Sequence, residues 1–187
     1  MYTKDHLFGS KQAIDLLGIK KEQLRHWVHN KRMIDPAVEG KGRGKRNKLS
    51  FTNLLDLALI KKLSDVGIEL NHIEEILIEV KKRCLGYLKA EGKPGKKAPM
   101  WTWIRDYRDF YEKQGCFLYI SRDKKERTAF IGTEDDILEH AEEEIKDTEE
   151  EIQNVVAVKR LRNNESQLII DVIKIARSLE KATGAKL

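Results

Sequence analysis

The sequence predicts a mainly α-helical protein with a small amount of β structure, divided into two domains. Three observations carry this. Apolar residues recur at spacings of three and four through most of the first 90 residues, the period of helices with one buried face. Further on, CFLYISRDKKERTAFIG holds two β-prone runs around a charged turn, which reads as a β hairpin. Between these regions AEGKPGKKAP combines glycine, proline and lysine, the composition of an exposed linker. The expected organisation is a first domain at 1–90, a linker at 91–99 and a second domain at 100–187.

The first helix is expected in SKQAIDLLGI, where Ser10 suits an N-cap, Ala13, Ile14, Leu16 and Leu17 share an apolar face, and Gly18 interrupts the pattern. After a turn, KKEQLRHWVHNKRM places Leu24, Trp27 and Val28 inward and leaves Lys20, Lys21, Gln23, Arg25 and His26 outward. Residues 34 to 51 hold Pro36, three glycines and the run GKGRGKRNKLSF, whose five basic side chains meet no acidic one; this reads as a hairpin loop ending in a short strand. Thr52 is expected to cap NLLDLALIKKLSDV, whose crowded leucines imply burial on most sides, with Gly67 stopping it. In ELNHIEEILIEVKKRCLGYLKA, Ile73, Ile76, Leu77, Val80, Cys84 and Leu88 form one apolar stripe.

Beyond the linker, MWTWIRDYRDFYEKQG reads as one short aromatic helix leading into the hairpin. From Thr133 the chain turns acidic and helical: residues 134 to 151 hold 11 acids and a single base, while Leu138, Ala141, Ile145, Thr148 and Ile152 alternate steps of three and four. QLIIDVIKIARSLEKATG fits a strand entering a helix as well as it fits one continuous helix.

Composition and charge narrow the function classes. No stretch reaches the eighteen or so apolar residues that a membrane helix needs, and the first residues lack an apolar signal core, so a cytoplasmic, nucleoid-associated protein is expected. The net charge of +5 hides an asymmetry, since residues 1 to 97 carry 21 Lys and Arg against 12 Asp and Glu, and the remainder 15 against 19. The first half suits a polyanion. Cys84 and Cys116 are too few for a disulfide framework and show no metal-ligand spacing, which makes them core thiols; no metal or cofactor is expected. No nucleophile, base and orienting group stand together, so no catalysis is expected.

The order of these elements, and individual residues within them, resemble the MerR family of bacterial transcription regulators. AIDLLGI is similar to the first helix and turn of that family, QLRHW to its recognition-helix signature, and Pro36 falls near the start of the wing. Phe51 stands where the family usually has a wing-closing tyrosine, and LIKKLSDVGIELNHIEEIL resembles the paired third and fourth helices. Glu22, His26 in place of a tyrosine and Lys31 in place of a common glycine depart from the pattern. The resemblance implies an N-terminal winged helix-turn-helix over residues 1–90, with a C-terminal α+β domain of a hairpin and helices serving effector binding or dimerisation. It also implies a homodimer on double-stranded DNA at promoters, with RNA polymerase as a partner and a small-molecule effector sensed by the C-terminal half. An architectural or chromosome-organising protein using the same domain without a ligand is the alternative.

Arg25 is the leading candidate for DNA contact, because a planar guanidinium on an exposed helix face forks onto phosphate oxygens or a guanine edge. Lys20, Lys21, Gln23 and His26 surround it. In the loop, Lys41, Arg43, Lys45, Arg46 and Lys48 are spaced by glycines and Asn47, which suits a backbone lying close to phosphates. Trp101, Trp103, Tyr107 and Tyr111 are the candidate effector-binding rings, against a packing role in a small core.

Overall fold

The computed structural model describes residues 7–40, 46–92, 99–121, 129–133, 135–136 and 167–185. The described chain falls into two compact units, one of residues 1–75 with 174–187 and one of residues 76–173. The acidic segment and its Leu138–Ile152 stripe lie almost wholly outside the described residues.

In the first unit, strand β1 (Phe8–Gly9) pairs antiparallel with β2 (Lys48–Leu49), setting the buried Phe8 opposite the buried Leu49. Helix α1 (Ser10–Leu17) follows at once. Its N-cap is Gly9 rather than Ser10, and the Gly9 N–H donates to Gln12 Oε1 at 2.8 Å. Gly18 ends α1 in the left-handed conformation (φ 60°), where its N–H reaches the Ile14 carbonyl, a cap that glycine adopts without steric cost. Helix α2 (Lys21–Arg25) continues into a wider π-helical turn at His26–Asn30, closed by the Lys31 N–H on the His26 carbonyl at 2.9 Å. Such turns are rare inside helices and concentrate at functional sites. Among the described residues, left-handed backbone at a non-glycine residue occurs at Arg32 (φ 50°), while Lys31 remains right-handed.

Helix α3 (Phe51–Asp65) is buried on most sides, as its leucines predicted: Leu54, Leu55, Leu57, Leu59, Ile60 and Leu63 are all inaccessible. Its cap is Ser50 and not Thr52. Ser50 Oγ accepts the Asn53 N–H at 3.1 Å, the Ser50 N–H donates to Asn53 Oδ1 at 3.0 Å, and Thr52 lies inside the helix with its hydroxyl 2.9 Å from that of Ser50. Helix α4 (Leu70–Ala90) begins in this unit and continues into the second, burying Ile73, Ile76, Leu77, Val80, Cys84 and Leu88 along the expected stripe.

In the second unit the aromatic segment forms two helices, α5 (Pro99–Asp106) and α6 (Arg108–Gln114), broken at Tyr107. The hairpin is present as β3 (Phe117–Ser121) and β4 (Ala129–Gly132), antiparallel with Leu118 opposite Ile131. A third strand, β5 (Gln167–Asp171), lies on the other side of β3 with Ile170 opposite Leu118, so the buried side chains of all three strands share one face of the sheet. The chain then passes straight into α7 (Val172–Thr183). This decides the ambiguity at the C-terminal segment: the Val172 N–H still reaches the Cys116 carbonyl at 2.9 Å, so β5 is held by β3 until the helix begins. Helix α7 buries Val172, Ile173, Ala176 and Leu179 along one side.

Candidate nucleic-acid interface

The N-terminus of α2 is set by Lys20, whose N–H donates to Gln23 Oε1 at 2.8 Å. Gln23 therefore spends its oxygen on its own helix and keeps its amide for other partners. Leu24, Trp27 and Val28 are buried and fix the rotation of the helix, with Trp27 in the core as its spacing predicted. The same rotation turns Lys21, Arg25 and His29 outward, all three exposed. His26 is half-buried, and its Nδ1 lies 3.3 Å from the Asn30 amide nitrogen. Lys31 reaches across to Asn71, its Nζ donating to Oδ1 at 2.7 Å.

The wing is closed at its base by two devices. Val38 and Lys48 form an antiparallel bridge, with N–H to carbonyl distances of 3.1 and 2.9 Å, and the Gly40 N–H donates to Asn47 Oδ1 at 2.8 Å. Lys41, Arg43 and Lys45 fall outside the described residues; Arg46 and Lys48 are described and exposed. Asn53 ties the approach to the wing onto α3: besides the cap, its Oδ1 accepts the Ala37 N–H at 3.2 Å and its amide donates to the Asp35 carbonyl at 3.0 Å.

Among the described residues the arginines divide into two groups. Arg83 pairs with Glu79, Arg105 with Asp106 and Arg108 with Glu112, and Arg177 is also engaged. Arg25, Arg32 and Arg46 have no hydrogen-bonding or ionic partner among the described residues. Two concavities flank α2. On one side, Ser10, Lys21, Arg25, His29 and Asn47 surround a cavity of about 210 Å³ floored by Ile14, Leu24, Val28 and Leu49. On the other, Glu22, Gln23, His26 and Asn30 line a wider one of about 630 Å³, with Arg25 on the ridge between them. Ser10, His29 and Asn47 were not among the residues predicted to bind. His29 was within reach of sequence reasoning, since it lies four residues beyond Arg25 and eight beyond Lys21 on a helix.

The candidate effector rings lie in the second unit. Trp101 and Tyr111 are buried, Trp103 is 9% exposed and Tyr107 37%. Trp103 stacks on Tyr87 at 5.3 Å and meets Tyr111 edge-on at 5.2 Å, so these rings pack on one another. Cys84 and Cys116 are free and buried. Burial pushes the Cys84 thiol from the usual 9.0 up to about 12. Cys116 and the Tyr111 phenol are pushed further up, first by burial and then by nearby ionisable groups, Cys84 and Asp136 among them for both. Among the described residues no group of three or more His, Cys, Asp or Glu could hold a metal ion, and no helix is long and apolar enough to cross a membrane.

Residues 8–79 match the family described as MerR HTH family regulatory protein. Over 81 residues the chain is 28% identical to HTH-type transcriptional regulators, themselves uncharacterized, of Mycobacterium bovis and of two strains of Mycobacterium tuberculosis. The alignment covers 42% of this chain and 36% of each relative, so the chain spans little more than a third of the length of the curated relatives it matches.

Proposed function

We propose that this chain, whose residues 8–79 are a MerR-type helix-turn-helix domain, is a transcription regulator that binds double-stranded DNA through α2 and the wing. The observation that carries the reading is the set of unpaired arginines. A guanidinium that meets no carboxylate among the described residues suits a phosphate or a base, and Arg25, Arg32 and Arg46 all belong to the unit with the basic wing. Lys21 and Lys48 add exposed charge, and the glycine-spaced Lys41, Arg43 and Lys45 extend it in sequence. Insertion of a helix into the major groove beside a phosphate-contacting wing is the docking that this element order supports. In this reading the protein acts at promoters as a homodimer on paired half-sites, within reach of RNA polymerase.

Salt-dependent binding to duplex DNA tests the proposal. Affinity should fall steeply as salt rises, because each neutralised phosphate releases counterions. Replacing Arg43, Lys45 and Arg46 together by Ala should weaken binding to every duplex and flatten the slope by about one per lost contact. An unchanged slope would show that the wing is only solvated, and absence of salt-sensitive binding by the unaltered chain would sink the whole reading.

A further inference from the structure

We infer that the cavity between α1, α2 and the base of the wing is the seat of a single DNA backbone phosphate, with Arg25 as its main ligand. Arg25 then sets the protein's position on a duplex and not its choice of sequence. The inference rests on the DNA-binding reading above and goes further by assigning which chemical group of the duplex meets which side chain.

Every polar residue described in the lining can donate, and two of them, Lys21 and Arg25, are cations that cannot accept. Ser10 offers a hydroxyl, Lys21 an ammonium, Arg25 a guanidinium and His29 a ring N–H. Asn47 accepts the Gly40 N–H through its oxygen and adds its amide as a further donor. Among the described residues no carboxylate lines the cavity, and Lys21, Arg25 and His29 have no partner. Two cations among groups that can all donate, with no carboxylate among the described lining residues, favour a negatively charged group that accepts from several sides. Phosphate oxygens fit that description from several directions at once, and these donors come from α1, α2 and the wing, three elements around one concavity.

Shape points the same way. A guanine edge lies in the groove and is read by a side chain that projects toward it, whereas a phosphate stands out from the duplex and enters a hollow. The volume of about 210 Å³ admits a phosphate group above an apolar floor. The opposite concavity differs in kind. Glu22 contributes a carboxylate there in place of a second cation, and a carboxylate can accept from a cytosine amino group, a contact that discriminates between bases.

The test uses the full chain, duplexes selected by it from a random pool, and unselected duplexes. Arg25→Ala should lower affinity for both classes by the same factor and reduce the salt slope by about one. Arg25→Lys, which keeps the charge, should largely preserve the slope. Glu22→Ala and His26→Ala should instead alter the preference among duplexes. Loss confined to the selected duplexes, with the slope unchanged in Arg25→Ala, would overturn the inference and make Arg25 a base reader. If the unaltered chain bound no duplex, the DNA reading would fall, and inorganic phosphate titrated at constant ionic strength against the His29 ring resonances would decide the rest. A saturable shift that disappears in Arg25→Ala keeps the phosphate seat for another phosphate source; no shift overturns it.

Discussion

At Arg32 a charged residue holds a backbone conformation that favours glycine. The left-handed region costs an L-residue roughly 1 to 2 kcal/mol, and part of that is recovered because glycine loses more chain entropy on folding. Arg32→Gly should therefore raise stability by about 0.5 to 1 kcal/mol, read as a higher midpoint in urea with an unchanged m-value. The same substitution should weaken DNA binding if the unpaired guanidinium there reaches a phosphate. The buried acids of the second unit act in a different range. Cys84, Cys116 and Tyr111 all ionise less readily folded than unfolded, so above pH 9 the unfolded chain sheds protons that the folded chain keeps. Their contribution to stability is complete below the ordinary thiol value of 9.0, and for Cys84 it is lost as pH climbs toward about 12. Denaturation series from pH 8 to 11 should show steadily falling stability, and Cys84→Ala should reduce the dependence. The caps were legible in the sequence at this scale, although the wrong residues drew attention. Ser10 and Thr52 have capping side chains, yet three residues beyond them stand Ala13 and Leu55, which cannot reciprocate; Gly9 and Ser50 have Gln12 and Asn53 there.

Among the elements, the wing depends on a residue outside it. Asn53 makes four hydrogen bonds, two in the α3 cap and two to the chain at 35–37, and so couples the start of α3 to the path into the hairpin. Asn53→Ala removes the side-chain bonds and leaves the half-buried Ser50 N–H unsatisfied, at a cost of about 2 to 3 kcal/mol. Hydrogen exchange should speed up at the amides of Ala37 and Ser50 ahead of those in α1, and equal protection in the variant would refute the coupling. Helical periodicity revealed α1 to α4 because each has a single dominant buried face or, in α3, burial nearly all round. It did not reveal the break at Tyr107, since Trp103, Tyr107 and Tyr111 keep the spacing of one helix and still cluster across the interruption. Nor did it place β5, whose apolar run suits either structure until β3 supplies hydrogen-bonding partners. The widening of the helix at His26–Asn30 leaves no mark in apolar spacing at all.

For the whole molecule, the uneven distribution of charge is the feature most plainly written in the sequence, and Arg25, Arg32 and Arg46, without a partner among the described residues, all lie in its basic half. The proposed dimer rests on the alternation from Leu138 to Ile152 together with the paired half-sites that helix-turn-helix regulators read. Light scattering at micromolar concentration should give twice the mass of one chain, and substitution of Ile145 by Asp should halve it; a monomeric unaltered chain would remove the dimer from the proposal. Residues 174–187 belong to the same compact unit as residues 1–75, and Ala182 and Thr183 share a concavity with Leu16 and Gln12 of α1. That partition bears on biosynthesis. A ribosome emitting the first 75 residues has released the helix-turn-helix portion of the first unit but not the segment that completes it, so closure of that unit must wait until nearly a hundred further residues have been made. Nascent chains stalled after residue 171 should show weaker protease resistance in α1 than chains stalled far enough downstream for α7 to clear the exit tunnel, and the first contacts the protein needs would then be among the last it makes.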